Sequence, residues 1–102
     1  MATPYTHGVW KVKPGRADEF VAAWTELAEW TRENVPGALW ATLLRDTADE
    51  NRFVSLGPWE SFEAIEAWRV HEGFRERVGQ VRELLESFEA QTLESVAESG
   101  SA

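Results

Sequence analysis

Cysteine is absent from this sequence, and histidine occurs only twice. Disulfides and thiolate metal sites are therefore excluded, and two histidines alone fall short of a structural zinc site. A reducing, cytoplasmic location is compatible with this composition and is our expectation. We expect no bound metal and no cofactor.

Basic residues and long apolar runs are also scarce. The 102 residues include 10 lysines and arginines against 18 acidic residues, for a net charge of −8. Nucleic acid and anionic membranes both attract a basic surface, so we expect neither as a partner. No stretch approaches the ~20 apolar residues of a membrane helix. The start of the sequence, MATPYTHGVW, lacks the basic and apolar regions of a signal peptide.

Tryptophan, in contrast, is abundant, with six in this short chain. Each can bury roughly 150–250 Å², so a few suffice to build the core of a small domain. The length allows one domain, and we treat residues 1–102 as a single domain with a core at about 5–97. The stretch 56–74, LGPWESFEAIEAWRVHEGF, concentrates aromatic residues. They form either part of the core or a site for a flat small molecule.

Hydrophobic spacing and turn residues divide the chain into alternating strands and helices. Pro14 and Gly15 separate the first two elements, Pro36 ends the first helix, and Gly73 is expected to break or kink the second. The predicted elements are a strand at 5–13, a helix at 16–34, strands at 38–46 and 51–57, a helical region from the N-cap Ser61 to about 86, and a weak strand at 87–97.

This order, β-α-β-β-α-β, predicts a ferredoxin-like α+β fold with a four-stranded antiparallel sheet and both helices on one face. The free sheet face should be polar if it met water. The strands instead carry apolar residues on both sides, among them Trp40, Leu44, Phe53 and Val54. Such exposure is typical of an interface, so we predict a homodimer in which two sheets face each other.

Three stretches, VKPGRADEFVAAW, GALWATLLRD and RFVSLGPWESFEAIEAWRVHEGF, together resemble the antibiotic biosynthesis monooxygenase family. The resemblance covers about residues 5–97. It implies a dimeric α+β barrel with a pocket between sheet and helices in each subunit. Members include cofactor-free quinol and anthrone-type monooxygenases and haem-degrading enzymes. The leading hypothesis is a cofactor-independent monooxygenase-like enzyme acting on a small aromatic molecule.

The match to the family's residues is partial. Trp59, Ser61 and Phe74 occupy positions of the family motif. Many monooxygenase members carry histidine where this chain has Trp68. The haem-degrading branch has a tryptophan on this helix, which Trp68 resembles, but it has a histidine where this chain has Val78. The haem-degrading set is therefore not present as such.

The candidate site residues follow from the positions of the aromatic and titratable groups. His71, one turn beyond Trp68, is the predicted catalytic base, since imidazole titrates near neutrality. The alternative is a half-exposed histidine at a helix end. The predicted ligand-binding residues are Trp68, Trp10, Trp40, Phe74 and His7.

Two other functions stay open. A non-catalytic protein of the same fold, which binds a small ligand or serves in assembly, would explain the missing family histidines. Haem binding, with His7 or His71 as the axial ligand, is the second. Whether an imidazole points into a cavity on the helix side separates these hypotheses.

Overall fold

The computed structural model describes residues 2–100 and has four strands and three helices within them. No helix in this part of the chain is both long and apolar enough to cross a membrane. The elements are β1 (Pro4–Val12), α1 (Ala17–Asn34), β2 (Thr42–Arg45), β3 (Arg52–Pro58), α2 (Phe62–Arg69), α3 (Glu72–Arg82) and β4 (Leu85–Glu94).

The four strands form one sheet in the order β2-β3-β1-β4, and every neighbouring pair is antiparallel. The two central strands, β1 and β3, pair along the whole of β3, from Lys11 opposite Arg52 to Tyr5 opposite Pro58. The predicted ferredoxin-like α+β fold is confirmed.

Alternation along β1 defines the two faces of the sheet. Trp10 and Val12 are buried and face the helices. Phe20 of α1 packs on this inner face, with its ring 5.4 Å from Trp10 and 5.0 Å from Phe53. A second cluster of Val35, Trp59 and Ile65 fills the opposite end of the helical layer. The core therefore lies on one side of the sheet.

The second helical region differs from the prediction, because the helix breaks at Val70 and His71 rather than at Gly73. His71 is the N-cap of α3, and its Nδ1 accepts a hydrogen bond from the Gly73 backbone N–H at 2.9 Å. Gly73 lies in the first turn of α3, where a Cβ would lie 2.5 Å from the Trp30 ring. Its role is to admit Trp30.

Two strand boundaries also differ. The strand predicted at 38–46 is shorter, and residues 38–41 form a loop that joins the sheet only by a bridge from Ala38 to Trp59. This loop lies against β3 at Gly57, where a Cβ would come within 2.3 Å of the Trp40 carbonyl oxygen. The last strand begins at Leu85 rather than 87 and ends at Glu94 rather than 97.

The outer face of the sheet is partly apolar. Val9 and Val54 pair at its centre, on the two central strands. Leu44 on β2 and Leu93 on β4 flank them and are 50% and 45% exposed. The homodimer predicted through this face stays a prediction.

Candidate functional site

A cavity of about 670 Å³ lies between the inner face of the sheet and the helices. All three helices, strands β1, β3 and β4, and the loop at 38–41 contribute to its wall. Aromatic rings make up much of that wall: Trp10, Trp24, Trp40, Trp59, Trp68, Phe74 and Phe88.

Strand register explains why there is a space here. Gly8 on β1 lies opposite Ser55 on β3 and Ala90 on β4, so three small residues form a row across the inner face. The next inner row is Phe53, Trp10 and Phe88. The floor of the cavity thus drops from a row of large rings to a row of small side chains.

Hydroxyl groups hold three of the indoles in place. The Nε1–H of Trp10 donates to Ser55 Oγ at 2.9 Å, and that of Trp59 donates to Thr6 Oγ1 at 3.1 Å. On the helix side, Trp68 Nε1 donates to Thr31 Oγ1 at 3.3 Å. A buried indole N–H needs an acceptor, so these pairs fix the ring orientations.

The three hydroxyls differ in where their own protons go. Thr31 Oγ1 donates to the Leu27 carbonyl at 2.8 Å, and Thr6 Oγ1 lies 3.5 Å from the Gly57 carbonyl. Ser55 Oγ has no such acceptor among the residues that the structure describes. Its hydroxyl therefore presents a hydrogen-bond donor to the cavity floor.

Charge is arranged unevenly around the cavity. Arg32, Arg69 and Arg82 line it, together with Glu29. Glu29 pairs with Arg32 at 3.1 Å. The wall is thus cationic, although the chain as a whole carries a net charge of −8.

Four of the six predicted site residues meet at this cavity. Trp68 lies between Trp59 and Phe74, with ring centroids 5.0 and 4.1 Å away. Trp10 closes one end of the floor. Trp40, on the loop at 38–41, also lines the cavity and is 55% exposed.

His71 lies outside the cavity wall and is exposed. Its ring packs edge-on against Trp30, with centroids 5.2 Å apart. Because Nδ1 accepts from Gly73, a neutral imidazole here carries its proton on Nε2 and offers a donor rather than a base. This geometry corresponds to the alternative interpretation, a histidine at a helix end. Its catalytic role stays a prediction.

His7 points away from the helices. Strand alternation places its imidazole on the face opposite Trp10, where Nδ1 lies 2.9 Å from Gln91 Oε1. The part of His7 that borders the cavity is therefore its backbone. Neither imidazole in the described residues enters the cavity, so the chain offers no axial histidine to a haem bound there.

Sequence reasoning missed several cavity residues. Trp24 of α1 lines the cavity but is not among the predicted site residues. Trp24 and Thr31 are seven residues apart, so helix periodicity puts them on one face of α1, and this spacing could have indicated Trp24. Ser55 and Arg69 had no local signal, because their neighbours come from distant strands. Among residues 2–100, no group of three His, Asp or Glu side chains lies close enough to hold a metal ion.

Comparison with known protein families shows which family this chain belongs to. The sequence model described as antibiotic biosynthesis monooxygenase matches residues 5–80. The chain belongs to this family. The match covers β1 through most of α3, which carry the larger part of the cavity wall.

Solved structures similar to this family member share its fold. SnoaB, a cofactor-independent oxygenase from Streptomyces nogalater, has 19% identity and a TM-score of 0.80, covering 96% of this chain and 95% of SnoaB. A proposed antibiotic biosynthesis monooxygenase from Caulobacter crescentus has 22% identity and a TM-score of 0.83, covering 94% and 92%. PA3566 from Pseudomonas aeruginosa has 22% identity and a TM-score of 0.77, covering 95% and 97%. Comparison with curated protein sequences finds no match.

Proposed function

We propose that this protein is a cofactor-independent monooxygenase acting on a small aromatic molecule of the quinol, phenol or anthrone type. Family membership supports oxygenation as the reaction class, and the similarity to SnoaB, a cofactor-independent oxygenase, supports independence from a cofactor. The observation that carries the proposal is the aromatic cavity of about 670 Å³. Its size falls within the roughly 300–1,000 Å³ of small-molecule sites.

In such a reaction the substrate itself supplies the electrons. A methylene carbon of an anthrone-type ring loses two hydrogens and keeps one atom of O₂ as a carbonyl oxygen, and the other atom leaves as water. The protein then has to hold an electron-rich ring beside O₂ and exclude bulk water. Trp68, held between Trp59 and Phe74 and bonded to Thr31, provides a rigid flat wall for this ring.

Oxygen uptake with a panel of quinols and anthrones tests the proposal. Trp68→Phe should lower turnover, because it removes ring area and the bond to Thr31. Trp30→Phe is the matched control, since Trp30 packs against His71 and Arg77 outside the cavity. If no compound that binds is oxidised faster than in protein-free buffer, the proposal is wrong.

A second candidate is a ligand-binding protein without catalysis. It is favoured by the lack of a free base: within residues 2–100, no imidazole enters the cavity, and its one carboxylate, Glu29, is paired with Arg32. Tight binding of an aromatic compound without oxygen uptake would support this candidate over the first.

A further inference from the structure

We propose that the cavity binds its aromatic ligand as an anion and that Arg69 recognises the anionic oxygen. The inference rests on the proposed function of the cavity as an aromatic binding site. It adds the charge of the ligand and the residue that recognises that charge.

The wall of the cavity carries a net positive charge. Three arginines and one glutamate line the cavity of a chain whose net charge is −8. Scattered surface charges on such a chain would give a mostly acidic wall. A cationic cavity in an otherwise acidic protein attracts anions locally.

The three arginines are not equivalent. Arg32 already has a carboxylate partner in Glu29, 3.1 Å away. The guanidinium of Arg82 lies over the Phe88 ring, 6.0 Å from its centroid. Arg69 bonds only to neutral oxygens, the hydroxyl of Thr92 and the carbonyl of Gln91, and no carboxylate in residues 2–100 pairs with it.

The position of Arg69 suits a ligand contact. It is the last residue of α2, and its two bonds reach across to the edge strand β4, so the guanidinium closes one side of the cavity. These bonds orient the planar group and leave N–H donors unused. Because a guanidinium presents its donors as a fork, an anionic oxygen there can form charge-assisted bonds.

Burial adds to this argument. Arg69 is partly buried, and desolvation lowers the pKa of its guanidinium. An arginine nevertheless stays protonated at neutral pH. A charge that has lost part of its hydration without gaining a carboxylate is stabilised when an anion binds beside it.

The lack of a free base among the cavity residues that the structure describes also favours an anionic ligand. Since the described part of the cavity wall lacks a free base, a substrate that must react as its anion should arrive ionised. Ser55 Oγ–H, polarised by the bond it accepts from Trp10, can bind a second oxygen of the ligand on the floor. The anionic oxygen itself can belong to a carboxylate or to an acidic phenol.

Calorimetric titration at pH 7 with three naphthalene probes tests the inference. Naphthoate carries a carboxylate, dinitronaphthol is an acidic phenol that is ionised at this pH, and naphthamide is the neutral counterpart of naphthoate. We expect naphthoate to bind at least about tenfold more tightly than naphthamide. Arg69→Gln should remove this preference and leave naphthamide affinity within about twofold.

Two further variants make the result specific. Arg69→Lys keeps the charge and should keep part of the preference. Arg77→Gln is the control, because the guanidinium of Arg77 lies 4.3 Å above the Trp30 ring, outside the cavity, and the preference should be unchanged. If dinitronaphthol binds and its affinity depends on Arg69, the ligand class includes ionised phenols. If naphthoate binds tightly and dinitronaphthol does not bind, the ligand class is restricted to carboxylates.

Equal affinity of wild-type protein for naphthoate and naphthamide would overturn the inference but leave an aromatic cavity in place. An unchanged preference in Arg69→Gln would overturn the role of Arg69. If none of the three probes binds, the proposed function fails together with the inference.

Discussion

Trp10 and Ser55 are joined by a hydrogen bond that passes over Gly8, from the indole Nε1 to the hydroxyl oxygen at 2.9 Å. Trp10 is only 5% exposed, so its N–H depends on this acceptor. The same serine presents its proton to the cavity floor. One side chain on β3 thus serves both the core and the site.

We predict that Ser55→Ala lowers the free energy of unfolding by about 1–3 kcal/mol. The variant leaves the buried N–H of Trp10 without an acceptor, and an unmet buried donor costs about this much. Urea denaturation followed by circular dichroism measures it. Ser87→Ala, at an exposed position on β4, is the control and should change stability little. Equal losses in the two variants would contradict the assigned role.

The second prediction concerns Gly8, which has no side chain. A Cβ there would lie 2.9 Å from both Ser55 Oγ and Trp10 Nε1. Gly8→Ala should therefore displace this bond, cost about 1–3 kcal/mol of stability and weaken binding of naphthoate, because the floor of the cavity rises.

Gly79 is the matched control for Gly8. It lies within α3, and a Cβ there has no atom within 4 Å. Gly79→Ala should raise stability by roughly 0.5–1 kcal/mol through helix propensity and leave ligand affinity unchanged. If both alanines weaken binding alike, the effect is not local to the floor.

Substitution of His71 distinguishes between two roles that the sequence alone left open. As an N-cap it stabilises α3, so His71→Ala should cost roughly 0.5–2 kcal/mol. His71→Asn should restore stability, because asparagine caps well. If His71 is instead the catalytic base, both variants should lose turnover. Thermal denaturation beside oxygen uptake distinguishes them: recovery of activity in His71→Asn supports the cap, and loss of activity in both at normal stability supports the base.

The elements of the fold and part of the aromatic wall could be predicted from the sequence. Spacing of two along β1 is enough to place Trp10 and His7 on opposite faces, although the predicted site contained both. Spacing of three and four marks the helix faces that carry Trp68 and Phe74. These signals are local, since they depend on the period of one element.

The rest of the site depends on register and on one helix break. Gly8 and Ser55 are neighbours only because β1 and β3 pair in this register, and no local pattern sets it. The expectation for His71 assumed a continuous helix beyond Trp68. The break at Val70 changes the direction of the chain and takes the imidazole out of the wall.

The outer face of the sheet leads to the last prediction, which concerns assembly. Leu44 and Leu93 are 50% and 45% exposed on either side of the central pair Val9 and Val54. Four apolar side chains on one sheet face favour a second copy as their cover. Sedimentation at micromolar concentration should therefore give a species of twice 11.6 kDa.

Lysine substitutions on the outer face of the sheet and on the helix side test which face forms the dimer contact. Leu44→Lys should shift the protein toward the monomer, since it places a charge in the proposed contact. Val70→Lys is the control, because Val70 is 65% exposed between two helices, away from the sheet. Because Leu44 pairs with Val54 on the outer face and does not line the cavity, ligand affinity in Leu44→Lys should stay near that of the wild type. A wild-type species of 11.6 kDa would show that the apolar face stays uncovered and that a single copy holds the complete site.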